Sequence, residues 1–227
     1  MPDRVKKIDQ LLSSVGYFSG LDETTLKAVK QAAIPRSYDP GQLIILEGEP
    51  NSGLYLIELG WVKVVKIAVD GREQVLRFLG PGEAFNAISV LTGTPNPASV
   101  VALEKTHLWV LLRDTMQRLI DEHPTLAKQM IQDLAGRVLH LISLVDDLSL
   151  RTVEARLARL LVEQAVGDKV YRKKWATQAE MAARLGTVPD VLSRSLRNLA
   201  EQGVIQVERS LIQILDMEAL EQKANLS

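Results

Sequence analysis

The sequence predicts an α+β chain with a β-rich N-terminal domain, one long helix and a C-terminal winged helix-turn-helix. Three observations lead to this: short apolar runs broken by glycine between Tyr38 and Leu112, a glycine-poor helical segment after Pro124, and two short helices joined by a tight turn after Gln178. The chain has 227 residues, 46% of them hydrophobic, so two domains can each form a core.

The N-terminal part, residues 1–123, is predicted to be a β-sandwich or barrel preceded by short helices. Asp22 is placed to cap one of these helices. The apolar runs that follow are LIIL, LYLIEL, WVKVVKIAV, QVLRFL, SVVAL and HLWVLL. Strands this short, separated by regular turn signals such as Asp70-Gly71, are typical of sandwiches and barrels.

Residues 124–149 are predicted to form one helix that pairs with a second copy of itself. Its apolar residues follow a three-and-four spacing: Ile131, Leu134, Val138, Leu141, Val145 and Leu148. A narrow seam sustained over three heptads favours helix–helix pairing. The alternative is a single amphipathic helix that lies on its own domain.

The remaining residues, 150–227, carry the winged helix-turn-helix pattern. After one helix over Thr152–Ala165, a second covers Gln178–Leu185, a turn contains Gly186, and a third covers Pro189–Gln202. A hairpin, VIQVERSLIQIL, follows. Thr177 suits the N-cap of the second helix, and Pro189 suits the first position of the third.

The outer face of the third helix has side chains suited to reading a DNA major groove. Arg194 can donate two hydrogen bonds to guanine, and Asp190 can accept one from cytosine. Arg197 would meet a phosphate. The predicted DNA-binding residues are Thr177, Gln178, Pro189, Asp190, Ser193, Arg194 and Arg197.

Local charge agrees with a nucleic-acid partner. The whole chain has a formal net charge of −1, but residues 166–209 contain eight basic and five acidic side chains. Because phosphates attract local positive charge, this segment can bind DNA although the whole chain is nearly neutral.

Ordered glycine motifs and the helix-turn-helix together resemble the CRP/FNR family of cyclic-AMP receptor protein-like transcriptional regulators. The motifs are Tyr38-Asp39-Pro40-Gly41, Glu47-Gly48-Glu49, Leu54-Tyr55-Leu56-Ile57, Gly60-Trp61-Val62-Lys63-Val64, Asp70-Gly71-Arg72-Glu73, Leu79-Gly80-Pro81-Gly82-Glu83 and TQAEMAARLGTVPDVLSRSLRNLAEQGVI. The resemblance extends from about Tyr38 to Leu220. It implies a double-stranded β-helix (jelly-roll) sensor, a dimerisation helix and a homodimer on a pseudo-palindromic promoter site, with RNA polymerase as a further expected partner.

In family members that read a TGTGA-like half-site, three side chains of the recognition helix meet the bases: Arg, Glu and a second Arg. By the resemblance these match Pro189, Asp190 and Arg194. Only Arg194 is unchanged, so we expect a half-site that differs from the usual one.

The same resemblance argues against cyclic AMP as effector. Members that bind the nucleotide hold its ribose with a Glu and its phosphate with an Arg, and these positions are Ala87 and Asn96 here. A buried phosphate without a cationic partner is costly. The predicted effector pocket contains Asn86, Ala87, Ile88, Asn96, Ser99, Leu141 and Ile142. It would suit a hydrophobic ligand or a haem, or be filled by side chains.

A haem would need an axial ligand, for which the candidates are His107, His123, His140 and the N-terminal Pro2. The Cys and His of haem-binding family members match Asn86 and Ile88. With no cysteine in the chain, an iron–sulfur cluster is excluded, and three dispersed histidines predict no metal site and no cupin-type enzyme.

Two function classes remain. The first is a DNA-binding regulator controlled by an unidentified small-molecule effector or active without one. The alternative is a regulatory subunit that senses haem or a small ligand and acts on a protein partner. Without a signal peptide or an apolar run of about 18 residues, we expect a cytoplasmic protein without a membrane partner.

Overall fold

The computed structural model describes residues 8, 11–18, 21–50 and 53–225. The chain divides into two compact units: Met1–Lys66 with Leu76–His140, and Ile67–Val75 with Leu141–Ser227. The division falls inside the long helix rather than at its ends. Each unit has its own hydrophobic core.

The described residues of the β-rich domain form eight strands, which lie in the first unit apart from Ile67 and residues 73–75. In chain order they are β1 (Ile34–Tyr38), β2 (Leu43–Ile45), β3 (Gly53–Leu59), β4 (Val62–Ile67), β5 (Glu73–Leu79), β6 (Ala84–Phe85), β7 (Ser99–Ala102) and β8 (Thr106–Leu112). They form two four-stranded sheets, in the orders β1-β8-β3-β6 and β2-β7-β4-β5. One buried cluster takes side chains from both sheets, among them Ile57, Val62, Phe85 and Val100. The predicted sandwich is therefore confirmed.

The strands β1 and β6 were not predicted from the sequence, and each has a physical reason. β1 contains Pro35, which cannot donate to a ladder, but β1 is an edge strand where this is tolerated. β6 is only two residues long and pairs with β3 through Tyr55 and Leu56. Short edge strands give too little periodicity to be recognised from sequence.

Among the described residues, residues 11–14 are helical and Gly16–Phe18 form a 3₁₀ helix, and four further α-helices accompany the sheets or follow them. They are α1 (Glu23–Ala32), α2 (Ala87–Thr92), α3 (Arg113–Glu122) and α4 (Pro124–Leu150). The Asp22 side chain accepts a hydrogen bond from the Thr25 backbone N–H at 2.9 Å, which is the predicted N-cap of α1. Pro124 begins α4 and its missing N–H costs nothing there. The 27 residues of α4 make it about 40 Å long.

The two faces of α4 have different surroundings. Leu126 and Met130 are buried in the core of the first unit, and Leu134 packs against that core. A neighbouring face exposes an apolar stripe, hereafter the α4 stripe: Ile131, Ala135, Val138, Ile142 and Val145. The exposed fractions of Val138 and Val145 are 55% and 60%.

Three residues of the predicted seam belong to the α4 stripe and three do not. Ile131, Val138 and Val145 are exposed, whereas Leu134 and Leu148 are half-buried. Leu141 lies beside the stripe and is 43% exposed. Because the helix must cover its own unit with one face, the outward face is rotated toward residues 135 and 142.

The second unit contains the predicted winged helix-turn-helix. Its elements are α5 (Val153–Gln164), β9 (Lys169–Tyr171), α6 (Gln178–Arg184), α7 (Pro189–Glu201), β10 (Ile205–Val207), β11 (Leu211–Ile214) and α8 (Met217–Ala224). The strand order is β10-β11-β9, so the predicted hairpin has a third strand. α8 and β9 were not predicted. The core includes Leu157, Leu192, Leu199 and Ile212.

Candidate nucleic-acid interface and effector pocket

The turn between α6 and α7 is built from local signals that the sequence analysis identified. The Thr177 side chain accepts a hydrogen bond from the Glu180 backbone N–H at 3.2 Å and so caps α6. Gly186 has a φ of 62°, the left-handed conformation that ends α6. Pro189 begins α7 after an extended Val188. These signals fix where α7 starts and therefore which of its side chains face outward.

The outer face of α7 is exposed as predicted. Leu192, Leu196 and Leu199 are buried, which turns Asp190 and Arg194 toward solvent. The remaining predicted DNA-binding residues are exposed as well, except Ser193, which is half-buried; they are Thr177, Gln178, Pro189 and Arg197. Among the described residues, Arg194 and Arg197 take part in no hydrogen bond or ion pair.

Side-chain contacts join the outer face of α7 to its neighbours. The Ser193 hydroxyl donates a long hydrogen bond of 3.5 Å to Gln178 Oε1 at the start of α6. Asn198 donates from its amide to the Glu154 carboxylate, and Lys223 donates to the same carboxylate at 2.9 Å. Burial tends to raise the pKa of Glu154, but the two hydrogen bonds outweigh it and hold that pKa below its usual value. Glu154, which belongs to α5, therefore links α5 to both α7 and α8.

Gly186→Ala is expected to destabilise the second unit. A left-handed φ costs an L-residue about 1–2 kcal/mol, and a Cβ here would lie 2.5 Å from Leu148 Cδ2 and 2.7 Å from Gln74 Oε1. The matched control is Gly167→Ala, at a φ of 66° with no atom within 4 Å of its Cβ. Urea unfolding should give a larger loss for Gly186→Ala; equal losses would show that the close contacts at Gly186 contribute nothing.

Three residues of the predicted effector pocket, Ala87, Asn96 and Ser99, are buried in the first unit. Ala87 is buried in the core of the first unit, and Ser99 Oγ accepts a hydrogen bond from the Glu47 backbone N–H at 3.1 Å. Asn96 is 5% exposed; its backbone bonds Gly48 and Glu49, and its amide donates to Leu46 O at 3.3 Å. Asn96 thus supports the loop before β3, a structural use of the position where the resemblance places an arginine.

The other predicted pocket residues are more exposed. Ile88 is 45% exposed on α2. Leu141 and Ile142 belong to the second unit and are 43% and 54% exposed. The pocket that would bring all seven residues together remains a prediction.

Asn86 holds a backbone conformation that favours glycine. Its φ is 71°, and its amide donates to Gly53 O at 3.0 Å. Asn tolerates this conformation better than most residues, but Ala does not. We expect Asn86→Ala to lower the unfolding free energy by about 2 kcal/mol, from strain and the lost hydrogen bond together. Asn86→Gly loses the side-chain interactions without the backbone strain and should cost less; denaturant melts that rank the two the other way would refute this account.

A polar network beside the β-sandwich was missed by the sequence analysis. The Tyr17 hydroxyl donates to Asp133 Oδ2 at 2.7 Å and accepts from Arg137 Nη2 at 2.8 Å. Arg137 also donates to Ala84 O at 2.7 Å and pairs with Asp133. Burial is the main reason that the pKa of Tyr17 is well above its usual value. The i, i+4 spacing of Asp133 and Arg137 was the available signal.

Each of the three histidines named as candidate haem ligands has a polar neighbour within its own unit. His107 Nδ1 lies 2.9 Å from Ser37 Oγ, His123 Nε2 lies 3.1 Å from Thr25 Oγ1, and His140 Nε2 lies 3.1 Å from Leu76 O. Pro2 lies outside the described residues. Within the described ranges, His, Asp and Glu side chains form no group of three that could hold a metal ion.

The fold and the exposed α7 face define a class: regulators that combine a cyclic nucleotide-binding-type domain with a DNA-binding helix-turn-helix. Residues 35–123 match the cyclic nucleotide-binding domain model, and residues 155–223 match the Crp-like helix-turn-helix domain. The chain is similar to the cyclic AMP receptor protein of Thermus thermophilus, 32% identical over 192 residues, 83% of this chain and 87% of that protein. It belongs to the CRP/FNR family of transcriptional regulators.

Two further comparisons agree. The chain is 27% identical over 223 residues to the CRP-like cAMP-activated global transcriptional regulator of Mycobacterium tuberculosis, covering 96% of this chain and 100% of that protein. The structure of FixK2 from Bradyrhizobium japonicum has the same fold, with a TM-score of 0.75 at 22% identity, covering 86% of this chain and 98% of that chain. The chain is thus a DNA-binding transcriptional regulator of CRP/FNR type. The C-terminal match speaks against the alternative of a regulatory subunit for a protein partner.

No helix among the described residues combines the length and the apolar character that a membrane crossing requires.

Proposed function

We propose that the protein is a homodimer that binds a pseudo-palindromic promoter site through two copies of α7. The observation that carries this is the outer face of α7, where Asp190 and Arg194 are exposed and Arg194 has no partner among the described residues. An arginine in that position can bond the O6 and N7 atoms of guanine, and a neighbouring aspartate can accept from cytosine.

The α4 stripe supports the dimer. Its residues repeat with spacings of four, three, four and three, which is the heptad pattern of a two-stranded coiled coil. Leaving Val138 and Val145 in water would forgo the free energy of burying them. A second copy of the same stripe is complementary by symmetry. Two-fold symmetry in the protein then predicts two-fold symmetry in the DNA site.

We further propose that the effector is not cyclic AMP, although the names of two relatives refer to that nucleotide. Ala87 supplies no carboxylate for a ribose hydroxyl, and Asn96 supplies no positive charge for a phosphate. The Asn96 amide is also engaged with Leu46. The sensor domain therefore responds to another small molecule, or the protein binds DNA without one.

Selection from a random duplex library tests the proposed function. Freshly purified protein should enrich one consensus with inverted half-sites about one helical turn apart, and should sediment as a dimer. Titration calorimetry with cyclic AMP should show no heat of binding up to millimolar concentration. Failure to enrich any sequence would refute DNA recognition, and tight cyclic AMP binding would refute the effector proposal alone. Native mass spectrometry of the same sample identifies a ligand that co-purifies.

A further inference from the structure

A chain of polar side chains connects the C-terminal helix α8 to α7 by way of α5. Lys223 of α8 donates to Glu154 Oε1 at 2.9 Å, and the Asn198 amide of α7 donates to Glu154 Oε2. The amide of Gln202, the residue after α7, donates in turn to Asn198 Oδ1 at 3.0 Å. We name these four side chains the α8–α7 relay.

The ion pair at the start of the relay fixes the direction of its hydrogen bonds. Burial by itself would raise the pKa of Glu154, but the bonds from Lys223 and Asn198 hold that pKa below its usual value. An ionised carboxylate only accepts hydrogen bonds, so Asn198 must turn its NH2 group to Glu154 and its carbonyl oxygen to Gln202. Asn198 is exposed on α7, yet both ends of its amide are engaged within the protein.

The charged pair of the relay is partly shielded from water. The side chains of Lys223 and Glu154 are only 20% and 26% exposed. Fully exposed ion pairs contribute little because water and salt screen them, whereas a partly buried pair is screened less. Removal of one partner would leave the other charge partly buried and unpaired, which is unfavourable. The pair therefore holds α8 and α5 together more firmly than a surface ion pair would.

A second set of hydrogen bonds attaches the beginning of α8 to the end of α7. The backbone N–H groups of Leu215 and Asp216 both donate to Val204 O, at 2.9 and 3.2 Å. Val204 lies just after α7, and Asp216 caps α8 by accepting from the Ala219 backbone N–H at 2.9 Å. The helix α8 is thus tied to α7 at its beginning and, through Glu154, near its end. Together α5, α7 and α8 form a closed frame.

The relay holds α7 one turn away from the side chain that is proposed to read bases. Asn198 follows Arg194 by four residues, about 6 Å along the helix. A bidentate contact to guanine requires the planar guanidinium in one orientation, whereas an ion pair with a phosphate depends less on direction. A small shift of α7 would therefore weaken the contact of Arg194 with a base more than it weakens phosphate contacts.

We propose that Lys223 and Glu154 are positioning residues for DNA recognition, which act through Asn198 to hold α7 in the orientation in which Arg194 meets guanine. The helix α8 thereby contributes to the choice of DNA sequence. This inference rests on the proposed function and goes beyond it, because it assigns sequence discrimination to residues outside the predicted DNA-binding set. A relay that only stabilises the fold is the competing outcome of the test.

The test uses variants that leave α7 unchanged: Lys223→Met, Glu154→Met, the two combined, and the charge reversal Glu154→Lys/Lys223→Glu. Methionine keeps an unbranched side chain that suits a helix and removes the charge. Glu221→Met, at an exposed position of α8, is the matched control. Binding of each protein to the selected duplex and to an unrelated duplex is measured by fluorescence anisotropy at one salt concentration. Thermal melts followed by circular dichroism verify that each protein is folded.

We expect Lys223→Met and Glu154→Met each to bind the selected duplex about tenfold more weakly, because Arg194 loses part of its bidentate contact in each half-site. Affinity for the unrelated duplex and the binding of Glu221→Met should change little. The direction of the effect separates positioning from charge. Charge alone predicts that losing a lysine weakens binding to the DNA polyanion and that losing a glutamate strengthens it.

The combined variants test whether Lys223 acts through Glu154. Lys223→Met/Glu154→Met should bind no more weakly than Glu154→Met alone, because both changes break the same relay. The charge reversal should restore most of the preference for the selected duplex. A lysine at position 154 can donate to Asn198 once the amides of Asn198 and Gln202 turn over, which leaves every group of the relay paired.

Other outcomes overturn the inference in distinguishable ways. Opposite changes in the two single variants, equal on both duplexes, would show that these residues act only as charges. Equal losses on both duplexes with a lower melting temperature, or a charge reversal that restores nothing, would reduce the relay to a structural role. An unchanged preference in both single variants would remove the relay from recognition and leave the proposed function intact. Wild-type protein that prefers neither duplex contradicts the proposed function itself.

Discussion

Val138→Asp is expected to convert the proposed homodimer into a folded monomer. Val138 lies at the centre of the α4 stripe and is 55% exposed, so the substitution disturbs little within one protomer. In a parallel pair of helices the equivalent residues face each other, so two carboxylates would be forced together in an apolar seam. Burying such charges without partners costs several kcal/mol, which is enough to dissociate most helix pairs.

Sedimentation velocity and circular dichroism together measure this effect. The control is Gln132→Asp, which introduces the same charge at an exposed position of α4 outside the stripe. We expect Val138→Asp to sediment as a monomer with wild-type helix content. It should also lose almost all affinity for the full site, because a monomer brings one copy of α7 to the DNA and a dimer brings two. A Val138→Asp protein that remains dimeric would exclude the α4 stripe as the interface.

A second comparison shows which face of α4 forms the interface of the helix pair. Ile142 is 54% exposed within the stripe, whereas Leu134 packs against the core of the first unit. Ile142→Asp should therefore dissociate the proposed dimer without unfolding the protomers. Leu134→Asp should instead destabilise the fold of the first unit. Leu141 borders the stripe, and Leu141→Asp should weaken the dimer as well.

Arg194→Ala is expected to change the DNA sequence that the protein prefers. Loss of a bidentate contact to guanine costs about 1–3 kcal/mol in each half-site and relaxes selection at one base pair. Because Arg194 is exposed and has no partner among the described residues, the stability of the fold should not change. Selection from a random library with the variant gives the new consensus directly.

Arg197→Ala is the matched control for Arg194→Ala. Both arginines are exposed on α7, one turn apart, and we assign Arg197 to a phosphate. Its loss should weaken binding to all sequences about equally and leave the consensus as it was. Recovery of the wild-type consensus by Arg194→Ala would contradict the role given to that arginine.

The half-site should differ from the one read by an Arg, Glu and Arg set. Pro189 begins α7 where the resemblance places the first arginine, and a proline side chain cannot donate a hydrogen bond. Asp190 is one methylene shorter than glutamate and reaches less far into a groove. The contacts that remain are those of Arg194 and Asp190, so the most constrained base pairs should lie near the middle of each half-site.

The sequence by itself determined the class of fold, the order of its main parts and the outward face of α7. These features depend on neighbours along the chain: Thr177 caps α6 through a residue three positions away, Gly186 supplies a left-handed turn, and the 3.6-residue period buries Leu192, Leu196 and Leu199 together. Interactions between residues so close in sequence are determined by a short stretch of the chain.

Only the tertiary structure decided which residues of α4 face outward. Leu134 and Ile142 are both apolar and both fit a heptad pattern. Leu134, however, packs against the core of the first unit, whereas Ile142 is exposed. Likewise, the network that joins Tyr17 to Arg137 links residues 120 positions apart. Contacts between residues so far apart in sequence depend on how the helices and strands pack together. The residues adjacent to each partner in the sequence do not specify them, because they are compatible with several different partners.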